Sequence, residues 1–529
     1  MNGERRFWIA VLCCTAVGAL LRLGGIHDPI FDHPGWRQGD TAAIARNFAQ
    51  LQLNPLFPQT DYDGPPPNYV ELELQIVPFL AALLYKIVGV HEVIGRLTSL
   101  AFGVATIPVV AAFARWLFRS AVAGVAAAAA FAILPGAWYY SHTFMPDTAM
   151  VFFTTCALYA CARWLIDDGG GWRGWWPGAV LLAVAFLAKP VAVTAAIPVA
   201  ACAVARFGWR GALARPQLWA LAAVAVVPLA LYDHVVSSHA EWHWASGITR
   251  LHVIPSLLGA FTSVHGFLAK AVAFRHAFVM LATTMLGPVA FALACVACFV
   301  PLRSRCDALV WGWLAGGLLY AYVVVTVERV DYYLYLVLPL GALLVGRLCA
   351  YVLERWGAER ERRATLAGLA AVAWLLAAYT GYREVAPYYR WSRTNYVRAK
   401  QLDAALAPGA LVVMGHYDPS ILYTIGRKGW EEDPHLWTPF DEQSAIRKGA
   451  RYFIAVERAR LKQTNLELFC WLSRFPVLDA NAAWPVYETD PANVLPGAED
   501  RWRAFRRREM AGAYANWRRD WKTAPDPCR

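Results

Sequence analysis

His33-Pro34-Gly35-Trp36-Arg37-Gln38-Gly39-Asp40-Thr41-Ala42-Ala43-Ile44-Ala45-Arg46-Asn47-Phe48 follows directly on an apolar segment running from Phe7 to about Leu23. A carboxylate and two arginines therefore stand at the mouth of a candidate membrane helix. Charges are costly at a bilayer, so a polar cluster against the interface is read first as a functional site. These residue types suit an anionic, lipid-linked substrate.

The composition of the whole chain agrees. Of 529 residues, 58% are hydrophobic and only 16% are charged, and the mean hydropathy is +0.37. That is too apolar for a soluble multidomain enzyme. The formal charge of +11 does not call for nucleic acid, because Lys and Arg collect at the cytoplasmic ends of spans. Glu4, Arg5 and Arg6 precede the first apolar run, yet no small-x-small cleavage site follows it and Leu20-Leu21-Arg22-Leu23 continues the run. The reading is an uncleaved first span with a cytoplasmic N-terminus.

Apolar windows of about 20 residues mark further spans. Basic clusters at Arg115/Arg119, Arg206/Arg210/Arg215, Arg303/Arg305 and Arg355 to Arg363 fall on one side, which gives about eleven spans. Leu74 to Val90 upsets that parity and is read as an interfacial or re-entrant helix. Pro177 to Arg206 is broken by Lys189-Pro190, because proline ends or kinks a helix, so two short helices should meet at Lys189. After Tyr379 the chain becomes polar, with strand-like runs at Ala410 to Met414 and Arg451 to Val456 around a helical stretch. This predicts a small α/β domain on the outer face. The domains expected are thus 1–380, with a long outer loop at 26–92, and 381–529. Most cysteines lie in apolar segments as small hydrophobes. Cys470 and Cys528 both fall in the outer domain, where an oxidising compartment would allow a disulfide.

Several polar residues carry two readings each. Asp40, before Thr41-Ala42-Ala43, suits a helix N-cap, and equally a general base on an acceptor hydroxyl or a ligand for a divalent cation. Asp32 is a second carboxylate beside it. Asp147, in Met145-Pro146-Asp147-Thr148, is an N-cap or, with His142 five residues earlier, part of a polar loop that positions a sugar or a cation. Lys189 lies within an apolar run and either snorkels or supplies a point charge for a lipid phosphate. Arg329 with Tyr332 and Tyr333 is an interface anchor or a phosphate fork. The remaining histidines read as scattered surface groups, and no GxGxxG or P-loop is present for a nucleotide.

Taken in order along residues 1–380, five motifs resemble the C-type glycosyltransferase (GT-C) superfamily, in the branch of the protein O-mannosyltransferases and lipid A aminoarabinose transferases. They are the acidic first loop leading into Ile44-Ala45-Arg46-Asn47-Phe48, Gly95-Arg96-Leu97-Thr98-Ser99, Met145-Pro146-Asp147, Leu187-Ala188-Lys189-Pro190, and Asp331-Tyr332-Tyr333-Leu334-Tyr335. Relatives usually carry Asp-Glu a few residues upstream of Ile-Ala-Arg. Here Trp36-Arg37-Gln38 stands in that stretch and the acid is Asp40, with Asp32 the fallback. The resemblance implies a mainly α, polytopic GT-C fold in a bacterial inner membrane, with the C-terminal α/β domain in the periplasm. It also implies inverting transfer of a sugar from a polyprenyl-phosphate donor to a glycan, lipid or protein hydroxyl. On that reading Asp40, Asp147 and Asp32 are the catalytic candidates. Trp36, Arg37, Arg46, Lys189, Arg329, Tyr332 and Tyr333 bind substrate, and Asp40, Asp147 and His142 are the candidate metal ligands if a divalent cation takes part. A multi-helix lipid or polysaccharide transporter is the alternative.

Overall fold

The computed structural model describes residues 2–478, 483–514, 517–522 and 527–528. Contacts divide the chain into one unit of Met1–Asp28, Phe48–Pro58 and Val70–Arg390, and another of Pro29–Asn47, Gln59–Tyr69 and Trp391–Arg529. Two pieces of the first outer loop thus cluster with the C-terminal residues. A composition shift locates a boundary along the chain, but packing need not follow chain order.

In the first unit, helix α1 (Asn2–Leu21) leads toward α2 (Gly35–Gln50), which crosses the division at Asn47. Then come α3 (Ile76–Val88), α4 (Glu92–Phe118), α5 (Ala121–Ile133), α6 (Asp147–Ile166), α7 (Trp175–Ala188), α8 (Ala196–Leu213) and α9 (Pro216–His239). Next are α10 (Val264–Met280), α11 (Pro288–Ala297), α12 (Asp307–Tyr320), α13 (Leu338–Trp356) and α14 (Arg360–Val385). Among the described residues, eight helical segments are long and apolar enough to cross a membrane, and α3, α5, α7 and α11 are shorter apolar helices. The shorter helices mark where the expectation of about eleven spans meets local breaks. Pro135 follows α5, and Pro190 follows α7. At 13 residues, α3 is about 20 Å long, less than a hydrocarbon core of about 30 Å.

Helices within a bilayer gain little from apolar burial and associate through close packing. Gly346 of α13 shows this, since a Cβ there would lie 2.4 Å from the Ala123 carbonyl oxygen of α5. Fully buried Arg22 ties the end of α1 to the end of α5. It donates to Phe131 O at 3.1 Å and Ala132 O at 2.8 Å, and its Nε reaches Ser141 Oγ at 3.1 Å. Carbonyls at a helix C-terminus lack intrahelical partners, and a guanidinium supplies several donors at once.

The second unit contains a four-stranded sheet. Strands β1 (Leu411–Met414), β2 (Lys428–Glu431), β3 (Ala450–Ile454) and β4 (Val486–Glu488) run in the order β2-β1-β3-β4, parallel except for β4. The continuous apolar run Leu411-Val412-Val413-Met414 suits a central parallel strand covered on both faces. Phe453, Leu468 and Trp471 pack in the core beside it, each contributing roughly 1.5–3 kcal/mol by burial. Cys470 and Cys528 form a disulfide.

Candidate active site

The second unit gathers a set of buried acids. Helix α2 begins at Gly35, so Asp40 lies inside the helix and cannot be its N-cap. Local spacing resembles a cap here, but the helix starts five residues earlier. Gly39 lets α2 approach closely, since a Cβ would stand 2.5 Å from the Ser420 backbone nitrogen. Asp40 is 7% exposed, and its Oδ1 accepts from the Tyr62 hydroxyl at 2.9 Å. Burial pushes the Asp40 carboxyl up to about 7, against the pull of the Arg37 guanidinium and the Tyr62 hydrogen bond, while Asp418 and Asp61 add to the rise. Glu431, at the end of β2, is held well above the usual range by burial and then by Asp40, Asp63 and Asp418. Its Oε2 has no hydrogen-bond partner among the described residues.

The neighbours of Asp40 divide into different roles. Asp32 is buried, and its Oδ1 accepts from Gln38 Nε2 at 2.8 Å. Arg37 is buried and Trp36 is 38% exposed. Arg46, expected to bind substrate, is engaged by neighbouring residues of the unit. It is ion-paired with Asp61, donates to Tyr423 O at 3.0 Å, and lies 4.4 Å above the Tyr423 ring. Asp61 also accepts from Lys428 Nζ at 2.8 Å and Asn47 Nδ2 at 3.0 Å. These donors hold the Asp61 carboxyl below the usual range despite its burial. Arg46 is thus committed to this network.

In the first unit, α7 stops at Ala188 because Pro190 disfavours helical backbone at the residue before it. Lys189 is extended there, at φ −165° and ψ 122°. It does not snorkel. It is 6% exposed, and Nζ donates to Asp147 Oδ1 at 2.6 Å. The same Nζ lies 4.6 Å from the Tyr333 ring and 5.3 Å from the Tyr332 ring. The tyrosines thus flank a cation that is paired with Asp147. Nor does Asp147 cap α6, since it follows the N-cap residue Pro146 and its side chain is turned to Lys189. Its Oδ2 is buried with no hydrogen-bond partner among the described residues.

Nearby, Asp331 accepts from the hydroxyls of Tyr140 at 2.6 Å and Tyr388 at 2.7 Å. His142 stacks on Tyr389 at 5.2 Å and meets Tyr139 edge-on at 4.9 Å. Arg329 is exposed, in left-handed backbone at φ 53°. Among the described residues no group of three or more His, Cys, Asp or Glu is placed to hold a metal. The cation expected through Asp40, Asp147 and His142 thus finds no donor set among the described residues. Asp147 has given one oxygen to Lys189, and His142 is packed between tyrosines.

Sequence reading missed Tyr62, Glu431 and Asp331 as partners, since nothing local links them to the acids and tyrosines they meet. It also missed Lys270, for which a signal existed. This lysine interrupts the apolar run of α10, is 3% exposed, donates to Ser256 Oγ at 3.1 Å and lies 5.3 Å from the Tyr322 ring. No carboxylate pairs with it among the described residues. A lysine at membrane depth without a counter-charge is a functional candidate by default.

Residues 75–232 match the family of dolichyl-phosphate-mannose-protein mannosyltransferases. No curated protein matches the sequence. The chain is similar to crystal structures of ArnT from Cupriavidus metallidurans. The apo state gives a TM-score of 0.56 at 13% identity, covering 93% of this chain and 100% of ArnT. The form bound to undecaprenyl phosphate gives 0.55 at 13%, covering 92% and 99%. At 13% identity the likeness is one of fold, and the chain shares the fold of ArnT.

Proposed function

We propose that the chain is an inverting glycosyltransferase of a bacterial inner membrane, taking its sugar from a polyprenyl-phosphate donor. The observation that carries this reading is Asp40, a buried carboxylate bonded to Tyr62 and pushed up to about 7. A base with that affinity for a proton is matched to work near neutral pH. Asp40 takes the proton of the acceptor hydroxyl, the hydroxyl oxygen bonds to the anomeric carbon, and the carbon–oxygen bond to the phosphate breaks. The electron pair leaves with polyprenyl phosphate. Tyr62 and Arg37 keep Asp40 oriented and, once ionised, stabilised.

With Lys189 and Arg46 committed to carboxylates, the cations proposed for the donor phosphate are Lys270 and Arg329. The proposed role of Asp147 is to position the sugar through Oδ2, while Lys189 fixes the carboxylate through Oδ1. Tyr332 and Tyr333 hold Lys189 in place. The undecaprenyl phosphate bound to ArnT supports a polyprenyl-phosphate donor, and the mannosyltransferase family match supports sugar transfer. The basic clusters support a cytoplasmic N-terminus, and the Cys470–Cys528 disulfide supports a periplasmic C-terminal domain. A glycan, lipid or protein supplies the acceptor hydroxyl.

The test is transfer from radiolabelled polyprenyl-phosphate sugars into envelope fractions, with wild type and Asp40→Asn at equal amounts of folded protein. Transfer by wild type and a loss of at least about 100-fold in the variant is expected. Equal transfer would remove Asp40 from catalysis, and no transfer by wild type from any donor would favour a transporter.

A further inference from the structure

Apart from the candidate active site, the first unit has a cavity of about 890 Å³ bounded by α1, α5, α11, α13 and α14. Phe7, Ala126, Ile133, Leu348 and Trp374 represent its walls, and every lining residue is hydrophobic or glycine except Arg6 and Arg363. The one indole N–H on the wall is already used, since Trp374 Nε1 donates to Ala129 O at 2.9 Å. Water would find almost no partners in such a space, and a void would forfeit the dispersion contacts of its lining. Hydrocarbon is the filling that suits it.

The charges lie at one end. Arg6 is in the first turns of α1 and Arg363 in the first turn of α14. From Arg363 to Ala377, another lining residue, α14 rises about 21 Å. The space therefore reaches well past the middle of a hydrocarbon core about 30 Å thick. Neither arginine is paired with a carboxylate among the described residues. Glu4 is engaged by Arg115 and Glu359 by Arg362. Arg363 directs Nε and Nη2 to Gly357 O, both at 3.1 Å, and neither its Nη1 nor the Arg6 side chain has a hydrogen-bond partner among the described residues. Two unneutralised guanidinium groups over an apolar slot match a phosphate headgroup above acyl chains.

We infer that this cavity is a binding site for an anionic phospholipid, its phosphate on Arg6 and Arg363 and its acyl chains between α14 and the body of the bundle. The site is separate from that of the donor. The far end of α1 is the one tied to Ser141 through Arg22, near the start of α6 where Asp147 lies. Arg6 is about 24 Å back along the helix. The end bearing the arginines is cytoplasmic on the orientation proposed above, but the site and its test do not rest on that orientation or on the transfer reaction.

The test is native mass spectrometry of the full chain after reconstitution with equimolar phosphatidylglycerol and phosphatidylcholine and a mild detergent wash. Wild type is expected to retain phosphatidylglycerol at least about fivefold over phosphatidylcholine. Arg6→Gln with Arg363→Gln should bring the two lipids to parity, and Ala373→Phe, which fills the slot, should abolish retention of both. Equal retention by wild type, or retention of phosphatidylglycerol by Ala373→Phe at the wild-type level, would overturn the assignment. Undecaprenyl phosphate displacing phosphatidylglycerol at equal concentration would overturn it too. The wild-type comparison decides even if a variant fails to fold.

Discussion

Lys189 Nζ donates to Asp147 Oδ1 at 2.6 Å across the break that Pro190 imposes after α7. Either charge alone would be expensive at that depth, and removing one partner of a buried pair leaves the other uncompensated. Lys189→Met and Asp147→Asn should each lower the midpoint of thermal unfolding in detergent. The double variant should recover most of that loss, with a coupling of about 2–3 kcal/mol. Transfer should remain low in the double variant, because the proposed contact of Oδ2 with the sugar is lost. Recovery of transfer together with stability would make the pair a purely structural one.

Asp40 leads to a pH prediction whose sign is fixed by its upward shift to about 7. The base works ionised, so kcat/KM should rise with pH, by about tenfold per unit well below 7 and levelling above about 8. Stability runs the other way. The folded state holds the proton more tightly than the unfolded one, so ionisation begins to weaken the fold above the unfolded value of 3.8, and the whole penalty is present above about 7. Asp40→Asn should therefore match wild type in thermal midpoint at pH 3.5 and exceed it at pH 8 while losing transfer. A lower midpoint than wild type at pH 8 would show that the carboxylate is needed for folding.

Long apolar spans and the two strands around Leu411–Met414 and Ala450–Ile454 are legible because their signals are local, whereas Lys428–Glu431 and Val486–Glu488 carry no such run and are not. An apolar window, a proline after an apolar run and Leu411-Val412-Val413-Met414 each announce themselves within a few residues. What the polar residues do was less legible, since their partners are remote in sequence. Arg46 looks like a free cation beside Asp40 until Asp61 closes on it from 15 residues away. Asp61 in turn holds Lys428, 367 residues further on. Lys189 finds Asp147 across 42 residues. Asp40 stands out in the sequence by its setting at the mouth of a span, but the cap reading rests on Asp-Thr-Ala-Ala alone. A helix already running from Gly35 removes that reading.

Lys270 is a buried lysine with no carboxylate partner among the described residues, and for that reason the donor phosphate is assigned to it together with Arg329. Lys270→Met should be tolerated by the membrane-embedded helix, so the thermal midpoint should hold or rise. Its kcat/KM for donor should fall by about 100-fold, as expected when a preorganised charge on a leaving phosphate is removed. Lys270→Arg should retain most of the activity. If Lys270 serves only to tether Ser256, Met and Arg variants should lower transfer alike, and only in proportion to lost folded protein.

The Cys470–Cys528 bond tests both stability and orientation. It closes a sequence separation of 58 residues, for which chain entropy predicts about 4 kcal/mol as an upper figure. Cys528→Ser should therefore lower the thermal midpoint, and reductant should lower wild type to the same value without affecting the variant further. Orientation is read in whole cells, in a background where the nine free cysteines are changed to Ala or Ser. With the domain in an oxidising compartment, Cys470 and Cys528 resist a membrane-impermeant maleimide until reductant is added, and then label without lysis. Labelling that requires lysis would place the domain in the cytoplasm. The acid carried by α2 would then have to work on the opposite face, and a periplasmic acceptor would be untenable.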